Sequence, residues 1–117
     1  PITYWGPRWA SEIWQVPEIV ISENGCSSND TVAADGEVYD TDRLMYVREH
    51  LIHAQRAVRE GYPLNGYFWW SLMDNYEWAE GYSKRFGFTF VDYTTLKRTL
   101  KLSGKFYRET IARGGVQ

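Results

Sequence analysis

Two short apolar runs, Glu18–Ser22 and Tyr67–Leu72, are the strand-forming segments of this sequence, and a long helix-period stretch separates them. Strands joined through a helix run parallel, because a parallel pair needs a crossover connection where an antiparallel pair needs only a hairpin. Parallel strands are buried on both faces. Two strands cannot supply that cover for each other, so the 117 residues are expected to be a piece of a larger α/β sheet. A closed (β/α)8 barrel takes about 250 residues, and the chain has the size of roughly its last two βα units.

The remaining pattern agrees with that order. Residues 5–15 have loose helical spacing and are expected to end before Pro17. The first strand closes at Asn24-Gly25, a turn signal, and residues 26–39 are polar and loop-like. Leu44, Val47, Leu51, Ala54 and Val58 recur every three or four residues between Asp42 and Glu60, with Asp40 or Thr41 able to cap the start and Gly61 and Pro63 to stop it. After the second strand comes an irregular excursion over 73–85, then a short extended pair around Phe86–Tyr93 and Thr99–Leu102. A last helix starts near Ser103, buries Phe106, Tyr107 and Ile111, and ends at Gly114-Gly115. Nothing repeats and no Pro- or Gly-rich linker interrupts the chain, so residues 1–117 are taken as part of one domain.

Charge excludes some partners. A net charge of −2 with no basic cluster gives no case for nucleic acid or an anionic membrane, and no apolar run reaches the length of about 20 residues that spans a bilayer. Cys26 is the only cysteine, so no internal disulfide forms; this fits a reducing, cytoplasmic setting without excluding secretion. Asn29-Asp30-Thr31 matches the glycosylation sequon, a short pattern that matters only for a secreted protein. His50 and His53, three apart on a helix, have no third ligand beside them, so neither metal nor cofactor is expected.

In parallel α/β architectures chemistry sits at the C-terminal ends of the strands. Glu23 falls there after the first strand; Trp70 ends the second, and Asp74, Asn75, Glu77, Trp78 and Glu80 follow it. Carboxylates act as acid, base or nucleophile and accept from sugar hydroxyls, while indole faces cover the C–H side of a pyranose. The bland alternatives stand beside this. Glu23 alone would more often be a solvated turn residue, and six Trp, nine Tyr and five Phe serve a core as well as a sugar site. Trp69 is expected in the core, opposite Trp70. Asp74, Asn75 and Glu80 are expected to bond within the loop, and Lys84 and Arg85 to form structural ion pairs.

Ile21-Ser22-Glu23-Asn24-Gly25, Trp70-Ser71-Leu72-Met73-Asp74-Asn75-Tyr76-Glu77-Trp78-Ala79-Glu80-Gly81-Tyr82, Lys84-Arg85-Phe86-Gly87 and Val91-Asp92-Tyr93 together resemble the C-terminal signature blocks of glycoside hydrolase family 1, in order and spacing. Tyr4-Trp5-Gly6-Pro7-Arg8 is similar to the helix before the nucleophile strand in some bacterial members. The resemblance implies strands 7 and 8 of a (β/α)8 barrel, incomplete without a complementary N-terminal portion. It implies Glu23 as nucleophile, Trp70 as the platform under the sugar, and Glu77 as acceptor from its 4- and 6-hydroxyls. Trp78 would donate to the 3-hydroxyl and Phe86 would sit beside the 6-position. A carboxylate at Glu77 would repel a 6-phosphate, so unphosphorylated β-glucosides, galactosides or fucosides are the implied substrates. The family's acid/base Glu lies in an Asn-Glu-Pro motif absent from these residues. A non-catalytic sugar-binding module, or a fragment that assembles with itself or a sister piece, remains the alternative.

Overall fold

A computed structural model describes residues 1–117. Helix α1 (Ile2–Trp14) leads into strand β1 (Ile19–Asn24), helix α2 (Thr41–Arg59) and strand β2 (Leu64–Trp69). Strands β3 (Thr89–Val91) and β4 (Arg98–Leu100) follow, then helix α3 (Leu102–Arg113). β1 and β2 pair in parallel and β3 and β4 pair antiparallel. The molecule measures 48 × 33 × 18 Å, a slab one sheet and one helical layer thick.

The helical layer covers one face of the parallel pair. Tyr4 of α1, Ala54 and Ala57 of α2 and Leu64 of β2 are buried together, with Ile19, Ile21 and Tyr62 packed against them. The opposite face has no cover: Val20 is 47% exposed and Phe68 60%. Parallel strands are stable only when covered on both sides, so the expectation of an incomplete sheet meets a sheet with one bare face.

Several boundaries differ from the sequence reading, each for a local reason. α1 starts at Ile2 because tertiary contacts hold its first turn; the Thr3 hydroxyl donates to the His50 carbonyl at 2.8 Å and Tyr4 is buried. It stops as expected before Pro17, with Gln15 left-handed at φ 52°. β2 begins at Leu64 and ends at Trp69, not Tyr67 to Leu72. Asn-Gly is a pair that locally favours turns, yet Gly66 is paired with Val20, whose Cγ1 would lie 3.1 Å from a Cβ there.

α2 keeps its predicted span, but neither suggested cap acts as one: no side chain caps the helix. Asp40 is turned to α3 instead, accepting from the Ser103 N–H at 2.9 Å and from the Ser103 hydroxyl. The buried residues of α2 are Arg43, Val47, Ala54 and Ala57, while Val58 is exposed. In α3, Phe106 and Tyr107 are half-buried, and Ile111 is 65% exposed because it borders an open apolar groove with Phe68 and Leu72. Trp69 turns inward as expected, stacked on Phe88 at 4.6 Å with its indole N–H on the Phe86 carbonyl at 3.0 Å.

Candidate active site

β1 carries a bulge at its C-terminal end. Ile21 pairs with Tyr67 and Asn24 with Trp69, so Ser22 and Glu23 together face the single residue Phe68. A bulge re-aims the side chains it contains, and Glu23 is exposed. The residue after it is held on three sides. The Asn24 amide oxygen accepts from the Tyr67 hydroxyl at 2.6 Å, its amide nitrogen donates to the Tyr46 hydroxyl at 3.4 Å, and its carbonyl accepts from Trp70 N–H at 3.0 Å. Burial raises the Tyr67 phenol well above its ordinary pKa, which keeps it a donor.

Gly25 lies flat on the next strand end: a Cβ there would stand 2.0 Å from the Trp70 carbonyl oxygen. That oxygen is backbone and cannot step aside. Gly25→Ala is therefore expected to destabilise the protein by about 1–3 kcal/mol, seen as a drop in thermal midpoint; an unchanged midpoint would show that the two strand ends are not in contact.

Trp70 is 36% exposed, and its indole N–H donates to the Glu77 carboxylate at 3.0 Å. Glu77 precedes a short 3-10 turn, Trp78–Glu80, and its own N–H bonds the Gly81 carbonyl at 2.7 Å. Trp78 has φ 46° and is 83% exposed, standing out from the surface. Phe86 is half-buried where the excursion returns, its carbonyl accepting from Ser71 N–H at 3.2 Å. The structure thus brings Trp70 and Glu77 into contact and ties Phe86 to the same strand end by its backbone. Glu23 lines an open cleft with Pro7, Ile21 and Asn24, whose walls include neither Trp70 nor Glu77.

The base of the excursion is closed by Asp74. Its carboxylate accepts from Gly87 N–H at 3.0 Å, from Arg85 at 2.6 Å and from Lys101 at 2.7 Å. Asn75 bonds Ser71 and Met73 within the loop as expected. Arg85 is an ion-pair partner as expected, whereas no such pair forms at Lys84, which is exposed.

What sequence reasoning missed is the size of this charged cluster. Asp30, Asp40 and Asp74 meet Arg43, Arg85 and Lys101 in one network, with the side chains of all but Arg85 essentially sealed from solvent. Arg43 was findable: it stands four residues before Val47 on the buried face of α2. Burial works against its charge, but the bonds and charges of Asp30 and Asp40 outweigh that and raise its pKa.

Cys26 lies beside this cluster, and burial pushes its thiol up to about 11 despite the nearby Arg43 charge, so it stays a protonated, unreactive group. His50 bonds the Tyr46 carbonyl and stacks on the Tyr46 ring at 4.0 Å. No group of three or more His, Cys, Asp or Glu side chains is placed to hold a metal ion.

The sequence model of glycosyl hydrolase family 1 matches residues 7–116. The chain is 47% identical over 114 residues to Beta-glucosidase A of Thermotoga maritima, covering 97% of this chain and 26% of that protein. It is 53% identical over 96 residues to a Beta-glucosidase of an Agrobacterium species, covering 82% of this chain and 21% of that one. The structure of the Thermotoga maritima family 1 β-glucosidase in complex with isofagomine lactam superposes with a TM-score of 0.96 over 98% of this chain and 26% of that one. The chain therefore spans about a quarter of the length of these relatives.

Proposed function

The chain belongs to glycosyl hydrolase family 1 and forms part of that family's barrel, and from this premise we propose that it is the C-terminal portion, strands 7 and 8, of a retaining β-glucosidase. The observation that carries the reading is the joint between the two strand ends. Asn24 and Gly25 are locked to the Trp70 backbone, and the Trp70 indole holds Glu77. One strand end then presents a carboxylate and the next presents an aromatic face with a hydroxyl acceptor, which is what a pyranose needs on two sides.

In the proposed reaction a Glu23 oxygen bonds to the anomeric carbon as the bond to the leaving oxygen breaks. A second carboxyl group, about 5–5.5 Å away, gives its proton to that oxygen. Water then attacks the glycosyl-enzyme, the same second group takes the water's proton, and Glu23 leaves as carboxylate. That second group comes from the complementary N-terminal part, since no Asn-Glu-Pro occurs here. The bare sheet face with Val20 and Phe68 is where that part would pack.

The test joins these residues to the front of Beta-glucosidase A of Thermotoga maritima in place of its own matching quarter. This assembled enzyme is expected to hydrolyse aryl β-glucosides and to release β-glucose first, read by proton NMR. No hydrolysis from a folded chimaera, or α-glucose as first product, would sink the reading. Glu77→Gln in the same enzyme is expected to lower kcat/KM for glucosides by about 10–100-fold, the worth of a hydrogen bond to a charged group. The loss should be smaller for the 6-deoxy fucosides, and equal losses would show that Glu77 does not hold the 6-hydroxyl.

A further inference from the structure

We propose that Arg43 is a positioning residue for this reaction, clamping the loop after Glu23 to the base of the excursion that carries Glu77; the inference rests on the functional reading above. A guanidinium has five N–H bonds in a fixed plane, and Arg43 makes five contacts. Its Nε reaches the Cys26 carbonyl at 3.4 Å, three residues beyond Glu23. Nη1 donates to Asp40 at 2.5 Å and to Asp30 at 3.1 Å. Nη2 donates to the other Asp30 oxygen at 2.8 Å and to the Arg85 carbonyl at 2.6 Å, one residue before Phe86.

The two loops touch at that last point. The Arg85 carbonyl also accepts from Ser28 N–H at 3.1 Å, so one oxygen is shared by the loop following the nucleophile and by the guanidinium beneath it. Arg43 is completely buried and bonds none of the candidate sugar-binding side chains Trp70, Glu77, Trp78 and Phe86. It acts through the backbone on either side of the site, and through Asp30 and Lys101 it connects to Asp74 at the foot of the excursion. A reacting carboxylate and the group holding the sugar must keep their spacing to within an ångström or so, or rate is lost about 100-fold. The Arg43 side chain bonds the backbone of both loops, at the Cys26 and Arg85 carbonyls, from one rigid plane.

The experiment places Arg43→Lys in the assembled enzyme. Lysine preserves the charge but offers three donors at one point, too few to join two carbonyls and two carboxylates. In protein verified as folded by circular dichroism, kcat is expected to fall by about 10–100-fold with KM changed less than about threefold. The rate of covalent labelling of Glu23 by a 2-deoxy-2-fluoro-β-glucoside should fall in parallel. Ser103→Ala, which removes a hydroxyl from the far side of the same network, should lower the melting temperature and leave kcat and labelling unchanged. Folded Arg43→Lys with unchanged kcat and labelling would overturn the inference, as would losses matched in Ser103→Ala at equal stability. If Arg43→Lys does not fold, Asp30→Asn, equal in shape, is judged by the same split: a fall in kcat at constant KM supports the clamp and an unchanged kcat overturns it. An inactive parent enzyme would instead strike the functional reading, and the inference would fall with it.

Discussion

Glu23→Gln in the assembled enzyme is expected to lower β-glucoside hydrolysis by on the order of 10^4- to 10^6-fold, the scale seen when a catalytic nucleophile is removed. The amide has the carboxylate's shape but neither its charge nor its nucleophilicity, so no covalent glycosyl-enzyme forms. Structure gives little reason for the protein itself to suffer. Glu23 is exposed at a bulge, and the bonds that fix this strand end belong to Asn24 and Gly25. The melting temperature should stay within a degree or two while turnover vanishes. A sharper form of the test uses Glu23→Ala with azide. The small anion enters where the carboxylate stood, attacks the anomeric carbon as the aryl leaving group departs, and remains as an α-glycosyl azide. Recovery of that product identifies Glu23 by its place on the reaction path. Activity of Glu23→Gln within tenfold of the parent would exclude it as the nucleophile.

The placement of this residue shows what the sequence carried and what it did not. The spacing of Leu44, Val47, Leu51 and Ala54, with Gly61 behind them, was enough to mark α2, and a crossover helix implies the parallel pairing found between β1 and β2. Glu23 at the end of the first strand was legible for the same reason. The bulge was not, because it arises from pairing: only the partner strand shows that Ser22 and Glu23 face one residue. The start of β2 was hidden by Asn65 and Gly66, whose local preference for turns is overridden by pairing with β1. Asp40 was misassigned because a carboxylate just before a helix usually caps it, and nothing local reveals that Ser103, far along the chain, would claim it instead. Long-range polar contacts leave no periodic trace. The charged cluster was visible only as the oddity of an arginine in register with Val47.

That cluster leads to the largest expected effect on stability. Lys101→Met should cost about 3–5 kcal/mol, the penalty for removing one member of a buried ionic group, against a total stability of about 5–15 kcal/mol for an ordinary protein. Lys101 is fully buried between β4 and α3, and its ammonium bridges Asp30 at 2.5 Å and Asp74 at 2.7 Å. Methionine fills the same space, so the loss is of charge and not of packing. Asp30 and Asp74 would keep Arg43 and Arg85 as partners, but three carboxylates would then face two cations with no water to screen the excess. Urea unfolding should show a lower midpoint with the slope unchanged. Adding Asp74→Asn restores the balance of charges, so the double variant should lose less than the sum of the two single ones. A cost below about 1 kcal/mol, or strict additivity, would mean that the six groups do not act as a unit. The apolar cluster of Tyr4, Ala54, Ala57 and Leu64 joins the end of α2 to the start of β2, the end of the sheet opposite Glu23. At the end that holds Glu23 and Glu77, ionic contacts stand beside the packing of Trp69 on Phe88. They fix direction as well as distance, which apolar contacts do not, and a site that must aim a carboxylate at one carbon atom needs both.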